Sequence, residues 1–133
     1  IDNKIDEVEV LERIAMYWHD PADRDAIVAA LRGVDGIELT RSYTMNIEVM
    51  GAGATKGTAL TWLCGHAGEV VADAWAFGDN INDIPMIETA GHGCAMKNAE
   101  PEDRDAADLI TEFDNDHDGV ARTVMEALTD AVR

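Results

Sequence analysis

The sequence predicts an α/β protein in two unlike parts, a β-α-β-β segment followed by a parallel sheet with helices packed on it. Three observations carry this reading. Strand-like stretches flank one helix-like stretch in the first 50 residues; Gly51-Ala52-Gly53-Ala54 then breaks the composition; after the break, short apolar strands alternate with helical stretches, the grammar of a parallel sheet.

Residues 8–18 set Glu12, Ile14, Met16 and Trp18 against Arg13, Ala15 and Tyr17, a period of two that reads as a strand. His19-Asp20-Pro21 ends it and starts a helix over about 21–32, with Asp20 as N-cap, Pro21 in the first helical position, Ile27, Ala30 and Leu31 inward, and Gly33 past the end. Gly36 opens a strand over Ile37–Ser42, and Tyr43-Thr44 turns into another over Met45–Met50, with Met45, Ile47 and Val49 on one face and Asn46, Glu48 and Met50 on the other. Strands joined by so short a turn are antiparallel. Beyond the break, Thr55 caps a helix through residue 66 with Ala59, Leu60, Leu63 and Cys64 inward. There follow a strand at 74–77, a helix at about 83–90, a strand at Gly93-Cys94-Ala95, a helix after Pro101, a strand near Leu109-Ile110, and a last helix from Gly119 with Val120, Val124 and Leu128 at i, i+4 and i+8.

With 133 residues and 47% apolar content the chain has enough material for a core. A formal charge of −17, from 27 acids against 10 bases, argues against nucleic acid as a partner, because the phosphate backbone is bound by clustered Lys and Arg. Cys64 and Cys94 have no CxxC spacing and sit in apolar stretches, which reads as reduced buried thiols in a cytoplasmic protein rather than a zinc site. The four histidines, His19, His66, His92 and His117, are scattered and read as surface or structural. No apolar run approaches the roughly 20 residues that span a bilayer, so no membrane partner is expected.

Chemistry gathers in Ala76-Phe77-Gly78-Asp79-Asn80-Ile81-Asn82-Asp83-Ile84-Pro85, two carboxylates and two amides in a turn between a strand and a helix. In open parallel sheets, ligands sit beyond the carboxyl ends of the strands, where this turn lies. Asp79 and Asp83 suit a hard cation such as Mg²⁺, which takes one or two protein carboxylates and keeps several waters. The same residues also suit helix capping, with Asn80 or Asn82 as N-cap and Asp83 in the first turn. Lys56 opens the helix after the glycine break, so its ammonium and the first-turn N–H groups can face one phosphate; a solvated surface lysine is the other reading. Asp114-Asn115-Asp116-His117-Asp118-Gly119 resembles a calcium loop, but its twelfth position is Met125 where a bidentate Glu is needed. As a D-x-D-G nucleophile motif, Asp116 and Asp118 lack a buried apolar strand before them. A solvated loop with a helix start is the reading taken.

Thr55-Lys56-Gly57-Thr58-Ala59-Leu60, then Gly78-Asp79-Asn80-Ile81-Asn82-Asp83-Ile84-Pro85-Met86, then Ala95-Met96-Lys97-Asn98-Ala99, in that order, closely resemble the Cof-type phosphatases of the haloacid dehalogenase (HAD) superfamily. Ala106-Ala107-Asp108-Leu109-Ile110-Thr111 and Asp118-Gly119-Val120 are similar to that family's C-terminal pattern, and residues 8–50 to the closing part of its cap. The resemblance implies a partial HAD-like (Rossmannoid) core with a β-α-β-β remnant of an α+β cap, residues 1–50 being partial cap and 51–133 the C-terminal half of the core. It makes Lys56 the catalytic lysine that steadies the phosphate, Asp79 a Mg²⁺ ligand and Asp83 a holder of the metal through water, with Asn80, Asn82 and Asn98 as substrate or phosphate contacts. The cofactor implied is Mg²⁺ and the substrate a small phosphorylated metabolite.

The family's D-x-D-x-T nucleophile motif precedes the cap and has no counterpart in these residues. The expectation is therefore a C-terminal fragment or truncated homologue, inactive alone, whose exposed sheet edge pairs with a second copy or with the missing N-terminal half. A non-catalytic binding or oligomerisation module is the alternative.

Overall fold

The computed structural model describes residues 12–131. They divide between Ala54 and Thr55 into two compact units.

The first unit runs β1 (Arg13–Tyr17), α1 (Pro21–Leu31), β2 (Ile37–Thr40) and β3 (Asn46–Gly51). β3 lies between the other two and is antiparallel to both, with Val49 opposite Ile14 on one side and Leu39 on the other. The expected β-α-β-β order is present. Of the strand read at 8–18, residues 8–11 lie outside the described residues, and Trp18 leaves the sheet to be buried. Asp20 caps α1 as expected, its carboxylate accepting from the Ala22 N–H at 2.9 Å. Ala30 is exposed rather than inward; Ile27, Val28 and Leu31 form the half-buried face.

The polar alternates of β3 are buried. The Asn46 side-chain Oδ1 accepts from the N–H groups of Ser42 at 3.2 Å and Tyr43 at 3.0 Å, closing the turn from β2. Glu48 accepts from the Ser42 hydroxyl at 2.5 Å and faces the Arg13 guanidinium at 3.3 Å. A charge out of water needs such partners, which is why Asn46 and Glu48 can be as buried as their neighbour Ile47.

The second unit carries α2 (Lys56–Ala67), β4 (Trp75–Gly78), α3 (Ile84–Thr89), β5 (His92–Ala95), α4 (Pro101–Ala106), β6 (Leu109–Ile110) and α5 (Gly119–Ala131). The strands are parallel in the spatial order β4-β5-β6, α3 and α4 making the crossovers. The structure is thus α/β with a parallel sheet, as expected. Ala76, Ile87, Cys94, Ala95, Met96 and Ala99 form its buried apolar interior. α2 packs on α3 through Gly57, where a Cβ would stand 2.3 Å from the Pro85 carbonyl oxygen.

Other expectations need correction. The helix read at 83–90 begins with a one-turn 3₁₀ segment, Ile81–Asp83, before α3 proper. Cys64 is buried in α2, but Ala59 and Leu63 are exposed. On α5 the apolar stripe is half open, Val120 and Leu128 exposed and Val124 partly covered. Both cysteines are free and buried, and burial, with the Asp108 charge second, pushes the Cys94 thiol up to about 11. All four histidines are exposed. Among the described residues no helix is long and apolar enough to cross a membrane.

Candidate active site

β4 delivers its carboxyl end into a turn whose shape depends on one missing Cβ. A side chain at Gly78 would place Cβ 2.3 Å from the Asp83 Cβ, so glycine is what lets Asp83 fold back beneath the strand end. Asn80 caps the 3₁₀ turn, its side-chain oxygen accepting from the Ile81 N–H at 3.0 Å. Asp83 reaches back in return: its Oδ2 accepts from the N–H of Asp79 at 3.1 Å and of Asn80 at 3.3 Å, while its Oδ1 pairs with the Lys56 ammonium. Both oxygens of this buried carboxylate are therefore engaged with donors. Lys56 is held at the first position of α2 by a capping box in which Thr55 and Thr58 each accept the other's backbone N–H at 3.1 Å.

Lys56, Asp79 and Asp83 line an open concavity of about 500 Å³, joined there by Asn115, Asp118 and Gly119. The last three come from the loop read as merely solvated. Asp118 takes a left-handed backbone conformation (φ 60°), which turns the chain into α5, and Gly119 is buried against the Phe113 carbonyl. Asp-Gly at a helix start was the signal available for that turn, but the polar run before it, Asp114-Asn115-Asp116-His117, looks like any exposed loop in sequence. Asp116 is indeed exposed and does not join the cluster.

The expected amide contacts divide. Asn80 serves as a cap, and Asn82 lies half-buried within the 3₁₀ turn. Asn98, after β5, is paired with Asn115: Asn98 Nδ2 donates to Asn115 Oδ1 at 3.0 Å, and the Asn115 N–H donates to Asn98 Oδ1 at 3.3 Å. Asn115 Nδ2 in turn faces Asp79 Oδ2 at 3.5 Å.

A fourth carboxylate, Asp103 on α4, was not anticipated. It is fully buried, and neither oxygen has a hydrogen-bond partner among the described residues. Burial first, then the charges of Asp83, Asp79 and Glu100, raise it from the ordinary 3.8 to about 6. A lone Asp in a short polar helix gives no sequence sign that it faces inward.

The donors around the concavity suit Mg²⁺ in kind, being hard oxygens: Asp83 is committed to Lys56 and two backbone amides, while Asp79 and Asp118 also line the space. In number they are part of a shell. Among the described residues no cluster of three or more His, Cys, Asp or Glu is arranged to hold an ion.

Residues 1–124 match the model of the haloacid dehalogenase-like hydrolase family. The chain belongs to that family. Among haloacid dehalogenase-like relatives, it is 39% identical over 101 residues to the 5-amino-6-(5-phospho-D-ribitylamino)uracil phosphatase YcsE of Bacillus subtilis, covering 76% of this chain and 40% of that protein. It is 34% identical over 93 residues to the pyridoxal phosphate phosphatase YbhA of Escherichia coli, covering 70% and 34%. The solved structure of a haloacid dehalogenase-like hydrolase from B. subtilis superimposes with a TM-score of 0.82 at 28% identity, over 90% of this chain and 43% of that one. The chain thus spans less than half the length of these relatives. The Cof-type resemblance read from the three motifs is borne out at the level of the family.

Proposed function

We propose that this chain supplies the C-terminal part of a Mg²⁺-dependent phosphoric monoester hydrolase acting on small phosphorylated metabolites, residues 1–50 being part of the cap and 51–133 the second half of the core. The observation that carries this is the arrangement at the end of β4: Lys56, Asp83 and two backbone amides lock one another beside Asp79, on a concavity open enough for a phosphate ester. Phosphoryl transfer asks for such positioned charge, since the transition state spreads negative charge over the phosphoryl oxygens. The Lys56 ammonium, held at a helix start, draws a phosphate oxygen and offsets part of that charge. Asp83 keeps the ammonium in place and fixes the Asp79 backbone. Asp79, with waters, would hold the ion; bound Mg²⁺ would supply Lewis-acid neutralisation of the phosphoryl oxygens. The attacking carboxylate comes from a D-x-D-x-T segment outside these residues, so this chain alone turns over near background. The two relatives are named for different phosphorylated small molecules, which supports the substrate class and leaves the individual compound open.

A phosphate-release assay on a panel of sugar, nucleotide and vitamin phosphates tests this, with and without a separately expressed D-x-D-x-T-bearing half of a relative. Activity is expected only in the mixture and is lost in Asp79→Ala. Robust turnover by the chain alone, abolished in Asp116→Ala, would assign the chemistry to the other acidic loop. The exposed Val120, Met125 and Leu128 on α5 favour a second reading, a non-catalytic module that binds a second copy or another part of the fold. Stable assembly without any phosphatase activity in the mixture would select it.

A further inference from the structure

Three loops meet at the carboxyl ends of the parallel strands, after β4, after β5 and before α5, and one pair of amides links them. An asparagine side chain can present either its oxygen or its NH₂ group to a neighbour, and only its other contacts decide which. Here Asn98 decides for Asn115. Its Nδ2 donates to Asn115 Oδ1 at 3.0 Å, and its Oδ1 accepts the Asn115 backbone N–H at 3.3 Å, a closed ring between residues 17 apart in sequence. With its oxygen held, Asn115 turns its NH₂ group to Asp79 Oδ2, across 36 residues of sequence. That contact is long at 3.5 Å, the weakest of the three that join these residues.

We propose that Asn98 and Asn115 work as one unit that orients the Asp79 carboxylate for a divalent cation, Asn115 as the positioning residue and Asn98 as its lock. The proposal rests on Asp79 being the cation ligand. A donor on one carboxylate oxygen fixes the plane of the group and leaves the other oxygen for the ion, the service that outer hydrogen bonds give metal ligands generally. Asn98, expected as a substrate contact, instead spends both ends of its amide on Asn115.

The experiment is a Mg²⁺ titration of the full chain followed by ¹H–¹⁵N NMR, with thermal unfolding run on each variant. In the wild type, the Asn115 side-chain NH₂ signals should move together with the Asp79 backbone amide, with one apparent Kd. Asn115→Ala should weaken that Kd by about tenfold, the lower end of the losses seen when an outer partner of a metal ligand is removed. Asn98→Ala should weaken it similarly and uncouple the Asn115 signals from Mg²⁺. The double variant should be no worse than Asn115→Ala, because the two act in series. All three should melt close to the wild type, both side chains being exposed. If Asp79→Asn abolishes the response while Asn115→Ala and Asn98→Ala leave Kd unchanged, the orienting pair is refuted and the cation site stands. Absence of any Asp79-dependent response to Mg²⁺ in this chain overturns the orienting pair, while the phosphatase reading stands or falls separately on the assay of the mixture with a D-x-D-x-T-bearing half. Additive losses in the double variant would make the two residues independent and overturn the lock.

Discussion

Two acidic loops in the second unit, Asp79–Asp83 and Asp114–Asp118, have much the same composition and opposite physics. In the first, the carboxylate of Asp83 is buried and takes the Lys56 ammonium and two backbone N–H groups, so the loop is organised around a charge that cannot leave. In the second, Asp114 accepts from the N–H of Asp116 at 3.1 Å and meets the His117 ring at 2.5 Å, on a loop with Asp116, His117 and Asp118 open to solvent. Clustering carboxylates is therefore not what builds a site. A site arises where backbone geometry, here Gly78 and the 3₁₀ turn, puts donors in the place of water around a buried carboxylate.

The sharpest way to break this contrast is to remove one carboxylate from each loop. Asp83→Ala leaves Lys56 unpaired and two backbone amides without their acceptor, and should cost about 3 kcal/mol in urea unfolding, less than a wholly buried pair would because Lys56 is about half exposed. Asp116→Ala should stay within about 0.5 kcal/mol. Equal losses at the two positions would show that the loops are not different in kind.

Asp103 sharpens the same comparison, because it adds a buried carboxylate with no donor among the described residues. Its folded-state value, about 6, lies above the ordinary 3.8, so the folded form holds a proton that the unfolded chain has released between those two pH values. Stability attributable to Asp103 therefore falls as pH rises from about 4 to about 6 and stays reduced above that. Asp103→Asn removes the ionisation and should stabilise the fold at pH 7 by about 2 kcal/mol, with a ceiling of about 3 kcal/mol from the gap between 3.8 and about 6. The gain should vanish near pH 4. Equilibrium unfolding at pH 4, 5, 6 and 7 checks it, and a gain independent of pH would assign the effect to packing instead.

The smallest effect belongs to the solvated loop. The hydrogen bond from His117 holds the Asp114 carboxyl below its ordinary value, and the resulting stabilisation is present above about 3.8 and lost as pH falls through the lowered value. The group is exposed and screened, so His117→Ala should leave the urea midpoint at pH 7 unresolved from wild type.

How much of this was readable in advance follows from the range of the interactions involved. Asp20, Pro21 and the β2–β3 turn act over a few residues, and their elements emerged within a residue or two of their expected bounds. Lys56, Asp79 and Asp83 could be named together only because their motifs resemble a known family; by spacing alone, Lys56 and Asp83 are 27 residues apart and nothing local joins them. Asn115 and Asp103 were missed for the same reason. An exposed-looking Asn in a polar run and an Asp in a six-residue helix acquire their surroundings from other elements. Alternation separated the two faces of β3 without saying that Asn46 and Glu48 are buried, and the apolar stripe of α5 stayed partly open.

The position of β4 in its sheet carries a consequence for motion. Among the described residues β5 is its one partner, and the carbonyls of Ala74 and Gly78 accept from His92 and Met96. Parallel alternation then turns the amides of Ala76 and Gly78 toward β5 and those of Trp75 and Phe77 away from it. Amide exchange along this strand should be uneven residue by residue, slow at 76 and 78 and fast at 75 and 77, while β5, flanked on both sides, is slow throughout. The loop that carries Asp79 thus hangs from a strand with half its amides unlatched, and its local opening free energy is set by whatever comes to lie along that outer row.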